Sequence, residues 1–141
     1  IDRIKAIHQR IPDTHLVMHG SSSVPQEWLK IINENGGQIP ETYGVPVEQI
    51  QQGIKYGVRK INIDTDLRLA STGAIRRYMT QHPAEFDPRK YLQESVKAMM
   101  EVCIARYEAF NAAGHGSKIK AISLDDMVAL YTAGKLTPNI K

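Results

Sequence analysis

Thr14-His15-Leu16-Val17-Met18-His19-Gly20-Ser21-Ser22-Ser23 and Val58-Arg59-Lys60-Ile61-Asn62-Ile63-Asp64-Thr65-Asp66 are the two stretches that decide the fold. Each starts as a short β-prone run and ends in small and polar residues, the pattern of a strand that runs into a functional loop. The first run predicts a strand buried on both faces; the second has apolar residues at alternate positions. Between them lie two helical patterns. One is Trp28, Leu29, Ile31 and Ile32, opened by the capping-box spacing of Ser23 and Gln26 with Pro25 in the first turn, and stopped at Gly36-Gly37. The other is Val47, Ile50 and Ile54, stopped at Gly57. Two strands joined by a helical crossover predict a parallel pair in an α/β fold.

On the N-terminal side, Asp2 to Arg10 reads as the end of a helix broken by Ile11-Pro12-Asp13. On the C-terminal side, Asp64 or Asp66 is expected to cap a helix over Leu67 to Thr80, ended by His82-Pro83. From Lys90 to about Ala113, Leu92, Val96, Met99, Met100, Cys103, Ile104, Tyr107 and Phe110 form one apolar stripe of a long helix ended by Gly114, and that stripe needs a partner, in the core or in an oligomer. Ser123-Leu124-Asp125-Asp126 opens a last helix as a capping box, and Gly134 closes it before a polar tail. Gly37 to Pro46, with two glycines and two prolines, reads as an irregular surface excursion with no chemistry assigned to it. Two parallel strands alone leave both faces and both edges uncovered, so the chain is expected to be part of a larger sheet such as a barrel of eight βα units, which takes ~250 residues.

The balance of 18 Lys plus Arg against 15 Asp plus Glu, a net charge of +3, favours anionic ligands without the basic, aromatic-interleaved surface that nucleic acid requires. A single cysteine, Cys103, excludes an internal disulfide and makes the cytoplasm the expected compartment, with Cys103 a buried core thiol. No apolar stretch approaches the length of a membrane span, and Ile1-Asp2-Arg3-Ile4-Lys5 has no signal-peptide core.

The chemistry is expected at the C-terminal ends of the two strands, where parallel α/β folds bind ligands. His19-Gly20-Ser21-Ser22-Ser23 offers an imidazole, a glycine that lets backbone approach a ligand, and hydroxyls with N–H groups at a helix start, all suited to phosphate. Asn62 and Asp64 lie on one side of the second strand end, followed by Thr65. From the residues alone, a hydrogen-bonded histidine, ordinary N-caps and a solvated Arg89 stand beside these readings. Walker, dinucleotide, zinc-helix and serine-elbow motifs are absent.

In this order, His19-Gly20-Ser21-Ser22-Ser23-Val24-Pro25, Gly57-Val58-Arg59-Lys60-Ile61-Asn62-Ile63-Asp64-Thr65-Asp66 and Phe86-Asp87-Pro88-Arg89-Lys90-Tyr91-Leu92 resemble class II fructose-1,6-bisphosphate aldolase, most of all its Calvin-cycle subtype. The resemblance implies a zinc-dependent (β/α)8 barrel, dimeric or tetrameric. Residues 1–80 would be its last two βα units and residues 81–141 a C-terminal helical extension of the same domain. It implies that His19 is one of three zinc-ligating histidines, the other two upstream of Ile1. Gly20 and Ser22 would hold the phosphate of dihydroxyacetone phosphate and contribute to a monovalent-cation (Na+ or K+) site; Asp64 and Thr65 would complete the pocket. Asn62 would act at the substrate carbon that becomes nucleophilic, and Arg89 would reach a neighbouring subunit to bind the second phosphate. The implied reaction is reversible cleavage of fructose 1,6-bisphosphate to dihydroxyacetone phosphate and glyceraldehyde 3-phosphate, with sedoheptulose 1,7-bisphosphate as a further substrate and the acid/base carboxylates upstream. A tagatose-bisphosphate aldolase and a non-catalytic helical interaction module are the alternatives. Many members carry glycine where this chain has Ser21 and Ser23, so the loop is expected to differ in shape.

Overall fold

The computed structural model describes residues 1–137; part of the polar tail after Gly134 therefore lies outside the described residues. Six α-helices and two strands are present among them, in the order α1 (Asp2–Arg10), β1 (Leu16–Met18), α2 (Gln26–Glu34), α3 (Val47–Lys55), β2 (Val58–Ile61), α4 (Thr65–Gln81), α5 (Pro88–Ala109) and α6 (Leu124–Thr132), with a 3₁₀ turn at Gly116–Lys118. The strands pair in parallel, with Met18 opposite Ile61, and the ladder continues one step through the Asn62 N–H, which donates to Met18 O at 3.1 Å. That register sets His19 beside Asn62.

Several local expectations are corrected. The β1 run is not buried on both faces: Val17 is 49% exposed, because no element among the described residues covers that side of a two-stranded sheet. The Ser23/Gln26 capping box does not form. Ser23 Oγ turns to Asp66, and Gln26 Nε2 instead donates to Val24 O and Thr42 O at 2.9 and 3.0 Å. Neither Asp64 nor Asp66 caps α4 with its side chain; the Ser22 hydroxyl accepts the N–H groups of Asp64 and Thr65. The long helix ends at Ala109, ahead of Gly114, because Asn111 takes the left-handed conformation at φ +55° and Ala112 N–H bonds back to Tyr107 O. At α6 the Ser123 cap does form, accepting from Asp126 N–H at 3.1 Å.

Helices α4 and α5 form an antiparallel hairpin whose contact face is made of small residues. Ala70 and Ala74 of α4 pack on Ala98 and Val102 of α5, and Ser71 and Ser95 share a hydrogen bond of 2.8 Å across the seam. Small side chains let the two backbones approach, which leaves the large residues elsewhere. Leu92, Val96, Met100, Ile104 and Tyr107 stay about half or more exposed, so the apolar stripe has no partner among the described residues. Cys103 is only partly buried. A second cluster, Val24, Leu29, Ile32 and Leu69, joins α2 to α4, and Trp28 packs against both clusters.

At the α2–α4 contact a Cβ on Gly73 would lie 2.7 Å from Cε3 of the Trp28 ring, which has no flexible end to swing aside. Gly73→Ala is therefore expected to lower stability by about 1–3 kcal/mol, a typical overpacking cost; a thermal melt of the intact protein checks it, with Ser71→Ala, a loss of one hydrogen bond, as the milder comparison.

Candidate functional site

The site forms where β1 and β2 end side by side. Gly20, at φ +62°, turns the chain directly after His19, a conformation that glycine adopts without the penalty a Cβ imposes. A Cβ there would touch nothing within 4 Å, so the strain is torsional and the space above the backbone is open. The Ser21 hydroxyl, fully buried, lies 2.8 Å from Asn62 O and 3.1 Å from Met18 O, tying the first loop to both strand ends. Serine at 21 and at 23 brings no left-handed strain. The strained residue is Val24, at φ +54°, where a β-branched side chain is a true outlier.

His19 is exposed, and Asn62 Nδ2 lies 2.9 Å from its Nδ1 and 3.3 Å from its Nε2. An amide nitrogen donates, so the ring nitrogen that accepts must be unprotonated and present its lone pair. Asn62 is oriented from its other end by Lys60 Nζ, which donates to Asn62 Oδ1. On the opposite side of the loop, Ser22 Oγ meets the N–H groups of Asp64 at 3.2 Å and Thr65 at 3.1 Å. These are the first N–H groups of α4, where the helix dipole is positive. The Asp64 carboxylate does not face them. It pairs with Arg68 Nε at 2.9 Å, while the Asp64 N–H goes to Ser22 Oγ.

Thus His19, Gly20, Ser22, Asn62, Asp64 and Thr65 come together, and Arg89 does not. It opens α5 at the far end of the α4–α5 hairpin, about 25 Å from the strand ends by the length of α4. There the guanidinium is exposed and bidentate on Asp87, with Nε at 2.9 Å and Nη2 at 2.6 Å. Asp87 also caps α5 by accepting from Arg89 N–H. The Arg89 side chain beside it holds the Asp87 carboxyl below the usual aspartate range, and the same bond raises Arg89 above its own.

Two residues that sequence reasoning passed over, Arg106 and Gly44, and one that it read only as a helix cap, Asp66, belong to the site's support. Asp66, 0% exposed, accepts from Val24 N–H at 2.8 Å and from Ser23 N–H and Oγ at 3.1 and 2.8 Å. Arg106, near the end of α5, reaches Ser23 Oγ at 2.7 Å and Asp66 Oδ2 at 3.1 Å. Gly44, in the irregular excursion, lies against the Ser22 carbonyl, and the next residue, Val45, donates its N–H to that oxygen at 3.0 Å. A signal for Arg106 was present: Ser95, Ala98, Val102 and Arg106 repeat at helical spacing along the small-residue face of α5.

The donor chemistry of His19 suits a metal: an accessible imidazole whose lone pair meets only a neutral amide. No group of three or more His, Cys, Asp or Glu among the described residues is placed to hold an ion, so His19 fits as one ligand and not as a set. No described helix is long and apolar enough to cross a membrane.

Comparison with known proteins bears on the whole of this region. The family model described as fructose-bisphosphate aldolase class-II matches residues 1–115. A fructose-bisphosphate aldolase of Pseudomonas aeruginosa is 71% identical over 140 residues, covering 99% of this chain and 40% of that protein. One of Xanthobacter flavus is 64% identical over 136 residues, 96% of this chain and 38% of its own length. A fructose-bisphosphate aldolase class 2 of Synechocystis sp. is 61% identical over 137 residues, 97% of this chain and 38% of its own. The chain thus spans about two fifths of the length of the curated relatives it matches.

Proposed function

This chain belongs to the class II fructose-bisphosphate aldolase family, and from that premise we propose that the intact protein cleaves and forms fructose 1,6-bisphosphate by a zinc-dependent aldol reaction. Residues 1–80 supply the last two βα units of a barrel and residues 81–141 its helical extension. The observation that supports this most is the meeting, at the ends of two parallel strands, of a lone-pair-bearing His19 with Asn62 and of Ser22 with the α4 N-terminus.

His19 holds zinc together with ligands outside this span. When bound, zinc supplies Lewis-acid stabilisation of the negative charge that develops as the carbon–carbon bond breaks. With its lone pair engaged by a metal, His19 would leave the Asn62 amide free to donate to the substrate beside the carbon that becomes nucleophilic. Lys60 keeps that amide from turning over, because it holds the carbonyl end. The phosphate of dihydroxyacetone phosphate lies over Gly20, where no side chain intrudes, and receives the proton of the Ser22 hydroxyl, whose oxygen is held by the N–H groups of Asp64 and Thr65, the two residues that complete the pocket. Gly20 and Ser22 also contribute to a monovalent-cation site on this reading.

Arg89 acts on the second phosphate in a neighbouring subunit, since it is too far from the strand ends of its own chain. The exposed face of Leu92, Val96, Met100 and Ile104 on the same helix suits the subunit contact of a homodimer or homotetramer. Arg89→Ala in the intact protein is expected to raise KM for fructose 1,6-bisphosphate about tenfold or more while affinity for dihydroxyacetone phosphate alone changes little; equal loss on both ligands would place Arg89 elsewhere. The reaction itself is tested by assaying cleavage of fructose 1,6-bisphosphate before and after chelation. Loss on chelation, recovery with zinc and indifference to borohydride are expected; activity that survives chelation, or is trapped by borohydride, overturns the reading.

A further inference from the structure

We infer that Arg106 is a positioning residue for the phosphate pocket, acting through Ser23 and Asp66 on the strained turn at Val24. This rests on the aldolase reading above. The chain of contacts begins on a helix outside the strand-end loops. Arg106 follows Ser95, Ala98 and Val102 along the buried face of α5, so its backbone is fixed by the packing of α5 on α4. Its side chain is 18% exposed and its Nε is buried without a partner, so the two contacts made by Nη2, to Ser23 Oγ and Asp66 Oδ2, are the polar anchors of the group.

Asp66 is completely covered and spends both oxygens on one turn of backbone: Oδ1 on Val24 N–H, Oδ2 on Ser23 N–H and Oγ. These bonds draw two successive N–H groups toward one carboxylate and hold Val24 at φ +54°. A β-branched residue keeps that conformation only where its surroundings over-determine it. Ser22, the hydroxyl that meets the α4 N-terminus, directly precedes this turn. Arg106 thus supplies the positive charge without which the buried carboxylate would be left uncompensated, and the carboxylate in turn fixes the direction in which Ser22 points. The proposed phosphate-facing hydroxyl is that of Ser22, whereas Asp66 and Arg106 make their contacts with Ser23 and Val24.

The test uses the intact protein, with dihydroxyacetone phosphate as the probe in equilibrium binding and zinc content and thermal melting measured alongside. Arg106→Met is expected to weaken binding about tenfold with zinc content retained. Ser23→Ala, which deletes only the bridging hydroxyl, is expected to weaken it several-fold. The double variant should bind no worse than Arg106→Met, because both changes break one linkage. A merely structural Arg106 predicts the opposite split: a lower Tm with Kd within twofold of the parent. That result, or additive losses in the double variant, overturns the inference. Should Arg106→Met not fold, Ser23→Ala carries the test, and an unchanged Kd there overturns it. A parent protein that binds no dihydroxyacetone phosphate overturns the aldolase reading itself, whereas a parent that binds it beside unaffected variants overturns only the positioning role.

Discussion

His19→Ala in the intact protein is expected to strip zinc and abolish aldol cleavage, with the loss of metal affinity exceeding the roughly 10–100-fold that follows removal of an outer partner of a ligand. The argument is one of donors. Among the described residues no cluster of three or more metal-ligating side chains exists, so this region has no other imidazole or carboxylate set to take over. Asn62 is the control that separates metal loss from substrate loss. It touches His19 through a neutral amide, which is not a zinc ligand of any strength. Asn62→Ala should therefore keep its zinc and lower kcat by about 10²–10³, the usual cost of deleting one donor aimed at developing charge. Zinc measured by mass spectrometry and kcat measured on the same samples decide the matter. Full zinc in His19→Ala defeats the metal role; zinc loss in Asn62→Ala assigns Asn62 to metal support.

Gly44→Ala is expected to have the second-largest effect, although Gly44 lies in a segment without regular structure. A Cβ at this position would lie 2.1 Å from Ser22 O and 2.7 Å from the Ser23 carbonyl carbon. Both are backbone atoms, and both belong to the loop whose Ser22 hydroxyl is proposed to face the phosphate. Neither can rotate away: Ser22 O is held by Val45 N–H, and the Ser23 backbone by Asp66. The excursion and the loop must separate, which costs about 1–3 kcal/mol of stability and displaces Ser22 from the start of α4. Dihydroxyacetone phosphate binding should weaken at least tenfold, beyond what the fall in Tm alone accounts for. An alanine variant with parental affinity would show that the loop keeps its shape without the excursion. Gly20→Ala makes an instructive contrast, since nothing lies near its Cβ and only the positive φ resists the change.

The amino-acid sequence by itself determined the order of elements and which polar residues gather at the strand ends. Short β-prone runs closed by small polar residues, and apolar spacing of three and four between them, are local signals; they are legible because strand and helix periodicity are properties of neighbouring residues. The same holds for the glycine after His19 and the cap at Ser123, and the ordered motifs carried the family resemblance. Tertiary structure alone decided which polar side chain serves which backbone. Ser23 reads as a helix cap from its neighbours, yet it bonds Asp66, 43 positions away, and Arg106, 83 positions away. Ser22, and not Asp64, satisfies the α4 N-terminus. The long helix turns its small residues inward because closely packed backbones need them, so the large apolar stripe that dominates the sequence pattern faces outward. Gly44 gained its importance only from a contact with a loop some twenty residues earlier. In each case the competing partners are chemically alike, and distance along the chain hides the one that wins; only the packed positions of α2, α4 and α5 bring it within hydrogen-bonding reach.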